Sequence, residues 1–176
     1  MRIAVAADHA GFEYKDRIAQ LLRAQGHDIT DFGTSDATPV DYPDYGYAVG
    51  EAVASGQADR GIVVCGSSLG IAMAANKVPG ARCAPVAEPY SAELARRHND
   101  SNVLALSERL TGWEMIERLV QIFLETPFDE GRHRERVDKL FEYTQAWKTR
   151  TLKAIEAGKV TGAQTPKQLL ANEVQA

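Results

Sequence analysis

A chain of 176 residues can bury one α/β-sized core but is too short for two domains of ordinary size. Hydrophobic residues at 44% and charged residues at 25% exclude a disordered chain. Twenty Lys and Arg against 24 Asp and Glu leave a formal charge of −4, so nothing global attracts nucleic acid or an anionic membrane. Two cysteines, Cys65 and Cys83, exclude a disulfide framework and read as reduced thiols. Arg2 leads straight into a short strand instead of a signal peptide, and no apolar run is long enough to span a bilayer. A soluble, cytoplasmic protein is expected.

In chain order, Arg2 to Ala7 is an apolar run ending at Asp8-His9-Ala10-Gly11. Tyr14, Ile18, Leu21 and Leu22 share one face of the helix that follows, and Gly26 stops it. His27 to Phe32 is a weaker strand, expected near a sheet edge. Gly33 to Pro43 is a polar loop, too long for a simple connector and so a candidate binding loop. A helix is expected over Tyr45 to Ser55, a buried strand over Gly61 to Val64, a small-residue turn over Cys65 to Ser68, and a helix over Leu69 to Lys77. Ala81 to Val86 reads as a fourth strand, with a helix from Tyr90 to His98, and Asn102 to Leu106 as a fifth strand. Trp113, Ile116, Val120 and Phe123 mark an amphipathic helix. A last helical pattern opens at Gly131 and carries Val137, Leu140, Phe141, Trp147, Leu152 and Ile155; it needs something to pack on, and a partner subunit is one candidate. Residues 1–157 are thus expected to form one domain, with 158–176 a mobile or partner-clasping tail. Strands alternating with helices predict a three-layer, Rossmann-like fold: a five-stranded parallel sheet with helices on both faces, plus the long C-terminal helix.

The chain is organised around Gly61 to Lys77, GIVVCGSSLGIAMAANK. Gly66 permits a sharp turn, and Ser67 and Ser68 are candidate caps for the next helix. That helix aims its unpaired N–H groups at the turn, beside the Cys65 thiol. A thiolate there can act as base or nucleophile, though a cysteine closing a core strand can equally be packing. The stretch lacks G-x-G-x-x-G and G-x-x-x-x-G-K-[ST], and Ile71 stands where a Cys-x5-Arg loop needs arginine. Ligands of open α/β sheets sit beyond the strands' carboxyl ends, which selects Asp8, His9, Asp41, Tyr42, Cys65 to Ser68 and Glu88. Arg132 and Arg136 lie at i, i+4 and make either a guanidinium clamp for phosphate or a solvated face paired with Glu135 and Asp138. Four scattered histidines and no C-x2-C or H-x3-H pair argue against a metal site; no metal and no cofactor are expected.

DHAGF (8–12), DYPDY (41–45), CGSSLGIAMAANK (65–77), EPYSAELARRHNDSNVLAL (88–106) and GRHRERV (131–137) together resemble the ribose-5-phosphate isomerase B family, which includes galactose-6-phosphate isomerase subunits. The resemblance runs in order over about Met1 to Leu140. It implies a metal-independent aldose–ketose isomerase of sugar phosphates, ribose 5-phosphate foremost, with a tetrose or hexose phosphate as the alternative. One branch of that family uses a glutamate six positions after the cysteine; Ile71 stands there, so the cysteine branch applies and Cys65 is the implied base. His98 would open the sugar ring with Asn99 beside it. Ser67 and the backbone N–H groups from Gly66 through Gly70 would hold the enediolate. Asp8 would bond sugar hydroxyls, and His9, Arg109, Arg132 and Arg136 would bind phosphate. Ser68 departs from the family's usual C-G-[TS]-G-x-G, replacing its middle glycine.

The order of elements adds an expectation about assembly. A helix of about eight residues after the fourth strand spans roughly 12 Å, carrying His98 to the sheet edge away from its own Cys65. The site would then be shared between two chains of a homodimer, alone or within a tetramer. A non-catalytic sugar-phosphate sensor on the same fold is the competing class.

Overall fold

The computed structural model describes residues 1–156, so the segment from 158 onward, expected as a tail, lies outside the described residues. Within them run β1 (Arg2–Ala7), α1 (Phe12–Ala24), β2 (Asp28–Asp31), α2 (Tyr42–Ala54), β3 (Arg60–Cys65), α3 (Leu69–Ala75), β4 (Cys83–Pro85), α4 (Pro89–Arg97), β5 (Val103–Ser107), α5 (Trp113–Glu125) and α6 (Arg132–Glu156). The strands form one sheet in the order β2-β1-β3-β5-β4, and every neighbouring pair is parallel. The weak second strand is at an edge, as its composition suggests. β4, at the other edge, keeps only three of the six residues expected. α2 begins three residues earlier than expected because Pro43, in its first turn, lacks only an N–H that the helix start would leave unpaired.

Period-two alternation divides the strands between two cores. Ile3, Val5, Ala7, Ile62, Val64, Leu104 and Leu106 face α1, α4 and α5, meeting Ile18, Leu22, Ala92, Ile116, Leu119 and Phe123. Ala4, Ala6, Val63, Cys65, Val103 and Ala105 face α2 and α3, meeting Val49, Val53, Ile71, Ala72 and Ala75. The first core is built of large side chains and the second of small ones, so α2 and α3 lie close against the strands. Among the described residues no helix is long and apolar enough to cross a membrane.

The topology places a crevice. From β1 the chain turns through α1 to the β2 edge, whereas β3 leads through α3 on the opposite face toward β4. The two crossovers part at the carboxyl ends of β1 and β3, the switch point where such sheets bind ligands. The gap stays narrow because Asp8 N–H donates to Val64 O at 3.3 Å and Gly11 packs on the end of β3. A Cβ on Gly11 would come within 2.6 Å of the Val64 carbonyl.

The chain divides into two compact units, Met1–Val137 and the part from Asp138 onward. In the second, α6 exposes Leu140, Phe141, Tyr143 and Trp147.

Because the clash at Gly11 is with rigid backbone, Gly11→Ala should force β1 and β3 apart at the crevice. A loss of roughly 1–3 kcal/mol is expected, read as a lower urea midpoint at unchanged slope.

Candidate active site

At the switch point a cleft of about 370 Å³ is lined by Asp8, His9, Ala10, Tyr42, Cys65, Gly66, Ser67, Gly70, Arg109 and Leu110. Eight of the residues singled out from the sequence (Asp8, His9, Tyr42, Cys65, Gly66, Ser67, Gly70 and Arg109) therefore meet here.

Each is held by its own backbone context. Asp8 is buried, and its Oδ1 accepts the Ala10 N–H at 2.9 Å, which fixes the carboxylate at the end of β1. His9 Nδ1 accepts the Val40 N–H at 3.2 Å, tying down the long 33–41 loop. A neutral imidazole whose Nδ1 accepts carries its proton on Nε2, which makes that edge a donor. Cys65 closes β3 and is 4% exposed. Cys83 belongs to the same small-residue core, and burial pushes its thiol up to about 12, which makes it inert.

The turn after Cys65 is tighter than its sequence suggests. Ser68 occupies the left-handed region (φ 65°) and places no side-chain cap on α3; its hydroxyl donates to the Ser67 carbonyl instead. The expectation that the two serines cap this helix is therefore corrected. The left-handed conformation is the physical reason glycine is usual at this position. Over the cradle lie two side chains. A Cβ on Gly70 would meet the Tyr42 ring at 2.8 Å, so glycine is what lets that ring cover the start of α3. The Arg109 side chain packs over Gly66.

Apart from Arg109, one wall of the cleft went unread in the sequence. Ser107 Oγ donates to the Gly66 carbonyl at 2.7 Å and accepts the Leu110 N–H at 3.1 Å. Glu108 N–H donates to the Cys65 carbonyl at 3.1 Å. The β5 end is thereby latched to the thiol turn. The carboxyl-end rule, carried on to the fifth strand, would have selected Ser107 to Leu110. Burial raises the Glu108 carboxyl above the ordinary range; the Tyr14 N–H it accepts at 3.1 Å opposes this, and the Glu13 and Asp8 carboxylates add to it.

Five other candidates lie elsewhere. His98 ends α4 on the side from which β5 starts, with exposed Asn99 beside it, and the exposed Arg132 and Arg136 stand on the first turns of α6. Glu88 caps α4, accepting the Tyr90 and Ser91 N–H groups at 2.8 and 2.6 Å. Among the described residues neither Arg132 nor Arg136 makes an ion pair; it is Arg134 that pairs, with Glu130 at 3.0 Å. The His98 and His133 rings stack with centroids 4.2 Å apart and planes 4° from parallel. Burial, and then the neighbouring His98, Arg132 and Arg136, lower the His133 pKa. The Arg97 guanidinium beside Asp129 holds that carboxyl below its usual range. His98, Asp129 and His133 offer donor atoms within 4.8 Å of one another, a spacing that could surround a metal ion. Arg97 already grips that carboxylate, however, and Arg132 and Arg136 add positive charge, so the cluster is a poor host for a cation.

A parallel sheet with a thiol, a carboxylate and a small-residue helix entry at its switch point marks an α/β enzyme for a small polar substrate. Comparison with known proteins narrows the class: the Ribose/Galactose Isomerase family model matches residues 3–140, and the chain belongs to that family of sugar-phosphate isomerases. Ribose-5-phosphate isomerase B of Escherichia coli is 42% identical over 79% of this chain and 93% of its own. Galactose-6-phosphate isomerase subunit LacB of Clostridium acetobutylicum is 37% identical over 79% of this chain and 80% of its own. D-erythrulose-4-phosphate isomerase of Pectobacterium atrosepticum is 34% identical over 81% of this chain and 95% of its own. Among solved structures, ribose-5-phosphate isomerase B of Clostridium thermocellum aligns with a TM-score of 0.82 and 46% identity, covering 84% of this chain and 99% of its own. The Mycoplasma genitalium enzyme with bound ribulose 5-phosphate aligns with a TM-score of 0.79 and 36% identity, covering 82% and 96%.

The raised carboxyl of Glu108 gives a pH signature. A folded-state pKa above the unfolded one means that the charged form destabilises the fold at neutral pH, and that the penalty fades as pH falls through the raised pKa and is gone below the ordinary one. Glu108→Gln keeps an acceptor for Tyr14 N–H. It should therefore raise the melting temperature at pH 7 and leave it nearly unchanged at pH 4.

Proposed function

We propose that this chain interconverts ribose 5-phosphate and ribulose 5-phosphate through a cis-enediolate, by metal-independent proton transfer in the cytoplasm. The observation that carries the reading is the Cys65 thiol in the switch-point cleft, beside the start of α3 and in one cavity with Asp8, His9 and Ser67. The open-chain aldose lies with C1 and C2 over the thiolate. Cys65 takes the C2 proton, the C2–H electron pair forms the C1–C2 double bond, and the carbonyl pair moves onto O1. The Ser67 hydroxyl and the N–H groups from Gly66 through Gly70 lie where that charge develops, which is where stabilisation accelerates the step. The O2 proton passes to O1 and the thiol returns its proton to C1, leaving the ketone at C2. Asp8 and Tyr42 hold sugar hydroxyls; Ser68 and Gly70 shape the cradle.

The same chemistry on a four- or six-carbon sugar phosphate is the second reading. It is favoured by the relatives that act on erythrulose and galactose phosphates and by Ser68, whose hydroxyl and Cβ narrow the cradle. A sensor without catalysis is disfavoured, because it would have no use for a thiol in the cleft.

A cleft complete in base and oxyanion donors, with His98, Asn99, Arg132 and Arg136 gathered elsewhere on the chain, supports a homodimer. In it each cleft receives those four residues from the other copy: His98 to open the ring with Asn99, and the arginines to join His9 and Arg109 on the phosphate. That Arg132 and Arg136 make no ion pair among the described residues suits an anion clamp.

Cys65→Ser should abolish isomerisation and exchange of the C2 hydrogen with solvent while the phosphorylated sugar still binds; exchange at the wild-type rate would remove Cys65 as the base. For the shared site, Cys65→Ala and His98→Ala should each be inactive and should complement when mixed and reassembled. Random exchange makes half the dimers mixed with one intact site each, so about a quarter of wild-type activity should return. Confirmed exchange without activity would place the whole site in one chain.

A further inference from the structure

His98, to which the proposed reaction gives ring opening, is held more firmly than a residue at the end of a helix on the surface needs to be. Its ring is 36% exposed on one side, while the buried His133 lies flat against it at 4.2 Å. The Asp129 carboxylate stands 3.9 Å from its Nε2. Neither neighbour is loose. Asp129 N–H donates to the Arg97 carbonyl at 3.0 Å. The Arg97 side chain reaches both Asp129 oxygens through Nε at 3.1 Å, and Arg97 is itself braced by Glu93 at 2.8 Å. His133 is seated by a tight turn in which Glu130 and Gly131 both take positive φ and the His133 N–H donates to the Glu130 carbonyl at 3.0 Å.

We propose that Asp129 and His133 are positioning residues for His98. The inference rests on the ring-opening role given to His98 above. Opening a furanose requires one group to take the O1 proton as the C1–O4 bond breaks and to supply a proton to O4. That works only if the imidazole is aimed at both oxygens, and a misplacement of about 1 Å can cost on the order of 100-fold. The stacked ring blocks rotation of His98 about its own side-chain bonds. The carboxylate faces the cation that His98 becomes while it holds the O1 proton, and Arg97 keeps that carboxylate from swinging away.

The two directions of the reaction separate this role from a structural one. Ribose 5-phosphate is mostly a closed ring. Ribulose 5-phosphate cannot close a five- or six-membered ring, because its 5-hydroxyl carries the phosphate. A defect confined to ring opening therefore spares exchange of the C1 hydrogen of ribulose 5-phosphate with solvent. Asp129→Asn and His133→Ala should lower kcat/KM on ribose 5-phosphate on the order of 10–100-fold and leave the exchange rate from ribulose 5-phosphate within about twofold. His133→Phe, which keeps a flat ring on His98, should restore most of the loss seen in His133→Ala. Both rates falling together, neither falling, or no recovery with phenylalanine would overturn the proposal. A wild-type protein inactive on both sugars would instead overturn the isomerase reading beneath it.

Discussion

Everything at the cleft depends on how the first and third strands part company. The sheet is continuous across β1 and β3, yet the chain leaves them toward opposite faces, which opens a gap between the two exits. Gly11 against the Val64 carbonyl and the Asp8 N–H on the same oxygen hold that gap at a fixed width. A carboxylate from one exit and a thiol from the other then face a common space without a loop having to order itself on binding. Catalytic geometry of this kind needs rigid supports more than it needs many residues.

The second organising fact is polarity along the strands. The cleft sits at their carboxyl ends, while His98, Asp129 and His133 assemble where the connections return to the amino ends. Each cluster is internally well braced: the Ser107 latch holds the first, and the Arg97–Asp129 pair holds the second. If His98 opens the ring as proposed, the two halves of the reaction lie at opposite ends of one chain, and the proposed homodimer is what brings them together.

Most of the fold was legible because strand and helix periodicities are strong where both faces are buried, as along RIAVAA and GIVVC. Legibility failed where a local conformation overrode composition. Serines before an apolar helix suggest caps, but Ser68 is left-handed and its hydroxyl turns back on Ser67, a choice no single-residue preference reveals. Tyr42 looked like loop and is helix, since the proline after it is acceptable within a first turn and nowhere later. In the site, Cys65 and Asp8 were readable from strand ends. Asp129 was not, because its meaning comes from Arg97, 32 residues away in sequence.

The unequal cores on the two faces of the sheet carry a consequence for how such a protein can change. On the α1, α4 and α5 side, Ile, Leu and Phe side chains offer many alternative packings of similar volume, so drift there can be absorbed by repacking. On the α2 and α3 side, Ala4, Ala6 and Ala105 are fully buried small side chains, so larger replacements there act against close packing. α3 is the helix that starts at the thiol turn, and α2 carries Tyr42 over it. Change of volume in this scaffold is therefore more easily absorbed on one face of the sheet than on the face that frames the cleft.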